Sequence, residues 1–127
     1  NIGAGGVSSD LKNTYGLVRV PINGREVDTH QQFAGTLMGD FTKTGINVAF
    51  PTGAVVGMCS NIVTTSPPKF TPSFAWIEPT GRHAFDVERG LEAARRMMAR
   101  RQRQLTPTLE TAIRDAQRVA ATCEQQS

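Results

Sequence analysis

Residues 38–63 read MGDFTKTGINVAFPTGAVVGMCSNIV, with glycines at 39, 45 and 57, spaced by multiples of six. Cut into sixes, the stretch gives MGDFTK, TGINVA, FPTGAV and VGMCSN, followed by IVTTSP. The first column is Met38, Thr44, Phe50, Val56 and Ile62; the fifth is Thr42, Val48, Ala54, Ser60 and Ser66, small or β-branched throughout. A helix repeats near 3.6 residues and a half-buried strand every 2, so neither element alone accounts for a beat of six. A hexapeptide repeat is a β-helix signature. In the left-handed form each six supplies one short strand and one corner, and three sixes close a triangular coil. First- and fifth-column side chains then pack inside, and a second-column glycine is expected at a corner where the backbone turns tightly. The expected fold class is mainly β: a left-handed parallel β-helix of hexapeptide repeats, with an inserted loop or hairpin and a C-terminal pair of α-helices.

The pattern extends outward unevenly. Asn1-Ile2-Gly3-Ala4-Gly5-Gly6 fits as an isolated repeat, and Ser8-Ser9-Asp10-Leu11-Lys12-Asn13 continues it weakly. The chain opens in mid-pattern without an initiator Met, so a missing N-terminal part is expected. Between Thr14 and Phe33 the beat disappears; Leu17, Val18 and Val20 suggest a strand, Asn23-Gly24 a turn, and Val27 a return strand. From residue 64, TTSPPKFTPSFAWIEP holds four prolines with Phe70, Phe74 and Trp76, and reads as an extended strap whose aromatics cover the apolar end of the coil. From Asp86 to Gln104 a helical stripe runs through Val87, Leu91, Ala94 and Met98. Thr106-Pro107 marks a second helix start, with Leu109, Ile113 and Ala116 or Ala120 as its stripe. The organisation expected is residues 1–66 as β-helix with 14–33 inserted, 67–85 as strap, and 86–127 as helical extension.

Composition narrows the function classes. The chain has 127 residues, 39% hydrophobic and 20% charged, enough for one domain with a modest core. No apolar run approaches eighteen residues and no signal-peptide pattern is present, so no membrane partner is expected and the default location is the cytoplasm. Cys59 and Cys123 lie in unlike contexts and read as free thiols. Arg95, Arg96, Arg100, Arg101 and Arg103, with a sequence pI near 9.3, suggest phosphate binding. Net charge, however, is only +3, and acids early and arginines late are the polarity a helix dipole favours. With no recognition motif of interleaved aromatics, no nucleic-acid partner is expected.

Two phrases are more specific: Asn1-Ile2-Gly3-Ala4-Gly5 with SDLKN soon after, and GTLMGDFTKTGINVAFPTGAVVG over residues 35–57. Together they resemble the C-terminal hexapeptide-repeat domain of the bacterial bifunctional N-acetylglucosamine-1-phosphate uridylyltransferase/glucosamine-1-phosphate acetyltransferase group. The tail PPKFTPSFAW before LEAARRMMARR resembles a branch of that group described as putative sugar nucleotidyltransferases. The resemblance implies a homotrimer of left-handed β-helices, with acetyl-CoA and an amino-sugar phosphate held between neighbouring coils. It also implies an N-terminal nucleotide-binding domain, outside this chain, where Mg2+ would act in nucleotidyl transfer. Asn1 matches a family asparagine that contacts the sugar. The Asn-Tyr pair that follows in the family falls on Asp10 and Leu11, a family serine near the acyl carrier falls on Ile46, and the family's general-base histidine precedes this chain.

Acetyl transfer to an amine needs a base, donors for the developing oxyanion and a groove for the carrier. The chain offers two histidines near neutral pH. His30, in VDTHQQF close to Asp28, is the candidate base; His83, between strap and helix, reads as structural or exposed. Lys12 and Lys43 are candidates for phosphate contacts, and Lys43 precedes the Thr44-Gly45 corner, whose backbone N–H groups suit an anion. The candidate sets are therefore His30 for catalysis, Asn1, Asp10 and Lys12 for substrate, and Lys43, Thr44 and Gly45 for acetyl-CoA. Asn47 reads as a stacked structural residue and Cys59 as packed rather than nucleophilic. Two histidines in unlike contexts make a poor zinc site, and none is expected. A domain of the parent enzyme that only trimerises it and presents a binding groove is the alternative reading, which Leu11 and Ile46 favour; a stand-alone scaffold is a third.

Overall fold

The computed structural model describes residues 1–124. It contains eleven short strands and two helices. In chain order the strands are β1 Val7–Ser8, β2 Arg19–Ile22, β3 Arg25–Asp28, β4 Leu37–Met38, β5 Lys43–Thr44, β6 Ala49–Phe50, β7 Val55–Val56, β8 Asn61–Ile62, β9 Phe70–Thr71, β10 Ala75–Glu78 and β11 Gly81–Ala84. The helices are α1 Val87–Ala99 and α2 Pro107–Cys123. The class is mixed rather than mainly β, because helices of 13 and 17 residues hold as many residues as strands of two or four residues each.

The beat of six survives as topology. From β4 to β8 each strand starts six residues after the last, and successive strands join different parallel ladders: β4-β7-β9, then β5-β8-β10, then β1-β6. A strand therefore meets its partner after three steps, Leu37 against Val55 and Lys43 against Asn61. In β6, β7 and β9 the second side chain is the buried one, as the alternation of a strand demands. Phe50, Val56 and Ile62 are buried, and fifth-column Val48 and Ala54 complete the same core with Ala75 and Ile77. Burying each large aliphatic or Phe among them is worth about 1.5–3 kcal/mol. Fifth-column Thr42 and Ser60 are also buried, and each hydroxyl donates to the carbonyl of Gly57.

The corners carry left-handed backbone, but not in the expected column. Positive φ recurs at Phe41, Asn47, Gly53 and Cys59, fourth-column positions, with Gly5 and Phe74 at equivalent places. Two of the second-column glycines serve close approach: a Cβ on Gly39 would lie 2.6 Å from the nitrogen of Met58, and one on Gly57 2.1 Å from that of Ser73. A side chain there has no room, whatever its φ.

The inserted segment forms the expected hairpin. β2 and β3 pair antiparallel around Asn23 and Gly24, both at positive φ, the pairing a tight two-residue turn requires. Its neck closes where Leu11 bridges Phe33. Val18 and Val20 are buried, and Gly53 is where they fit, since a Cβ there would meet Val18 Cγ1 at 2.7 Å.

Residues 67–85, read as an extended strap, continue the ladders instead. β9 and β10 add parallel strands after fifteen residues in place of eighteen (Val55 against Phe70, Asn61 against Trp76), and β11 folds back antiparallel on β10. The proline-rich stretch shortens the path by three residues, so the beat of six no longer marks it.

Corner residues seat the helices. Cys59 and Phe74 pack with Leu91 of α1 and Ile113 of α2, with Phe41, Met58, Val87, Leu105 and Leu109 around them. Asp86 caps α1 by accepting from the N–H of Arg89, and Thr106 caps α2 by accepting from that of Leu109. Charged pairs lie outside the seat: Arg114 binds Glu88 and Glu110, and Arg95 binds Glu110. α1 ends at Ala99, earlier than the expected Gln104, and residues 125–127 of the expected extension lie outside the described residues. Among the described residues no helix is long and apolar enough to cross a membrane.

Candidate functional site

Three of the seven candidate residues converge. Asn1 lies along β5: its α-amino group donates to Thr42 O at 2.9 Å, and its carbonyl accepts from Thr44 N at 3.0 Å. Gly3 N donates to Thr44 Oγ1 at 3.0 Å, and Thr44 Oγ1 donates to Gly45 O at 3.0 Å. Glycine at position 3 is required, because a Cβ there would stand 2.2 Å from Gly45 O. The next corner stacks Asn47 against Gly5, with Asn47 N donating to Ala4 O at 2.9 Å. Asn1, Thr44 and Gly45 thus form one polar edge beside exposed Ile46 and Asn47, at the end of the ladders where Ile2 and Met38 are still accessible.

Lys43 does not join them. It neighbours Thr44 on a strand, so the two side chains leave by opposite faces. Its ammonium donates to Phe41 O at 2.8 Å and lies 5.8 Å from the centre of the Phe85 ring. Partial burial lowers its pKa, with the nearby Cys59 thiolate form pulling the other way. An ammonium already satisfied by a carbonyl and covered by a ring is a packing element first.

The remaining candidates stand apart. His30, at φ 54° beyond β3, is exposed; its backbone N–H donates to Asp28 Oδ1 at 2.8 Å, and its Nδ1 lies 3.7 Å from the same oxygen. The carboxylate orients this histidine, but no described cavity is lined by it. Lys12 Nζ donates to Leu17 O at 3.4 Å, and the Asp10 carbonyl accepts from Ala34 N, so both help hold the neck of the insertion. His83 pairs with Glu78 at 3.4 Å. Cys59 is buried, and burial raises its thiol to about 11, which Lys43 opposes and Asp40 reinforces. That thiol is protonated at neutral pH and unsuited to attack.

Two clefts lie where the sequence reading had placed no site. One, of about 400 Å³, runs between β11 and α2, with Arg82, His83, Gln117 and Glu124 on its walls; Glu124 accepts from both the N–H and the hydroxyl of Ser73. The other, of about 490 Å³, lies between β10 and α1 over Trp76 and Phe85. Its α1 wall of Glu88, Arg89, Glu92, Ala93 and Arg96 has the three- and four-residue spacing of one helix face, a signal present in the sequence but overshadowed there by the apolar stripe. Among the described residues no group of three or more His, Cys, Asp or Glu is placed to share a metal ion.

No protein-family model matches this chain, and no curated protein matches it.

Proposed function

We propose that this chain is a left-handed parallel β-helix of the hexapeptide acyltransferase type, and that it assembles a sugar-1-phosphate nucleotidyltransferase as a homotrimer in the cytoplasm. The observation that carries the reading is the register: strands six residues apart enter three ladders in turn and meet their partners eighteen residues on. Left-handed backbone at the four successive fourth-column corners Phe41, Asn47, Gly53 and Cys59, with Val48, Phe50, Ala54, Val56 and Ile62 packed in one core, supports a closed coil. At the other end of the column Ile2 and Met38 remain 50% and 37% exposed, against 6% for Phe50, 2% for Val56 and 0% for Ile62. A further turn of the same pattern would cover them, which supports a parent enzyme larger than these ladders. Outward on β4-β7-β9, Leu37, Val55 and Phe70 stand in register as an apolar row, and Leu37 is 54% exposed. A second copy covering this row gives the trimer its contact. Sedimentation equilibrium at micromolar concentration tests it: a mass of three 13.8 kDa chains is expected, and a single-chain mass contradicts the assembly.

A second reading, CoA-dependent N-acetyl transfer to an amino-sugar phosphate, is favoured by one observation, the convergence of Asn1, Thr44 and Gly45 on an accessible edge. Calorimetry with acetyl-CoA tests it. Saturable binding weakened by Lys43→Ala supports Lys43 as a contact to the carrier. Binding unchanged in that variant removes Lys43, and no binding removes the acyl-carrier role from this chain.

A further inference from the structure

We propose that the groove between β10 and α1 binds a planar aromatic ring carrying a phosphate, of the nucleoside monophosphate class. Its floor is aromatic: Trp76 and Phe85 lie 5.7 Å apart, centre to centre, with their planes tilted by 42°. Both rings are half-buried and line the groove, and the ring surface they leave open favours stacking by a flat ligand, an interaction worth about 1–3 kcal/mol per base on aromatic side chains. At about 490 Å³ the groove is in the size range of small-molecule sites.

The wall sets the charge. Glu88 is held by Arg114, and Glu92 is neutralised by Arg96 at 3.0 Å. Arg89, on the same helix face, has no ion-pair partner among the described residues. Its planar fork of donors matches a phosphate. Another unmet donor stands on the adjacent strand, outside the residues that line the groove. Asn61 stands in register with Trp76 on the adjacent strand, is 6% exposed, and its Nδ2 has no hydrogen-bond partner. Lys43 stands on the other side of Asn61 in the same outward row. Aromatic floor and unpaired guanidinium, both on the groove's lining, together call for a flat ring carrying an anionic oxygen group. All these groups belong to one chain, so the inference does not depend on the trimer.

Trp76 is the chain's one tryptophan, and its emission reports on this groove. Titration with adenosine monophosphate should quench it saturably, with affinity reduced about tenfold or more in Arg89→Ala, the loss expected for one charge-assisted contact. Arg101→Ala, an exposed arginine outside the groove, should leave the titration unchanged. No saturable response up to about 10 mM, the weak end of specific binding, would overturn the proposal. So would affinity unchanged in Arg89→Ala with native helicity, or adenosine binding as tightly as its phosphate.

Discussion

The Cβ that Gly57 lacks would lie 2.1 Å from the backbone nitrogen of Ser73, whereas at Gly45 the nearest atom to such a Cβ is 3.7 Å away. Both glycines occupy the second column of the repeat, yet only one is forced by its neighbour. Neither has the positive φ at which alanine is strained. Gly57→Ala should cost about 1–3 kcal/mol or more, because the obstacle is backbone rather than a mobile side chain. Gly45→Ala should change stability by less than about 1 kcal/mol. Denaturant unfolding of the two variants checks this, and equal losses would mean that the ladders are not stacked as described.

Phe74 is the largest side chain at a left-handed corner that is itself buried, and it holds both helices through Leu91 and Ile113. Phe74→Ala should cost about 3–5 kcal/mol. Phe33→Ala, at an exposed phenylalanine by the hairpin neck, should cost far less. Chemical unfolding followed by far-ultraviolet dichroism separates the two.

The two thiols should differ in reactivity. Cys123 is exposed and Cys59 fully buried, so a thiol reagent should label one site in the native protein and two after unfolding. The pH dependence has a definite sign. The folded Cys59 pKa, about 11, lies above the ordinary 9.0, so its contribution is complete below about pH 9 and is lost as pH rises through about 11. Lys43 acts in the opposite direction: burial disfavours its ammonium in the folded state, so raising the pH towards its ordinary value of 10.5 relieves a penalty. Comparing wild type with Cys59→Ala isolates the thiol. Wild type should lose stability relative to the variant between pH 9 and 11, and a flat difference would contradict the assignment.

Arg114 ties α1 to α2 through Glu88 while bonding Glu110 within α2. These groups face solvent, where salt screens them. Arg114→Ala should lower Tm at low ionic strength, and the deficit should shrink in about 1 M salt, where the screening length is about 3 Å. A deficit independent of salt would point to packing by the arginine stem.

Much of this arrangement is legible in the sequence because it is periodic. First- and fifth-column residues such as Val56 and Ala54 declare their burial by spacing, and Asn23-Gly24 and Thr106-Pro107 by local chemistry. The corners are not legible, since Phe41, Asn47 and Cys59 adopt positive φ without being glycine, and composition carries no mark of it. Glycines at 39, 45 and 57 draw attention to the second column, where crowding rather than φ is at stake. β9 and β10 were hidden by a shortened turn at the prolines, which changes the register from eighteen to fifteen residues. Lys43 and His30 look alike as candidates in a string of letters. Only packing separates an ammonium under Phe85 from a histidine open to solvent.

In the proposed assembly the apolar outer row of these ladders meets a second copy of the chain. The most direct test of that contact is sedimentation equilibrium of wild type beside Leu37→Lys, a change at a half-exposed outward position that leaves the core intact. The account predicts a trimeric wild type and a variant that dissociates to single chains of 13.8 kDa while keeping its dichroism spectrum. A monomeric wild type, or a variant as trimeric as its parent, would contradict it.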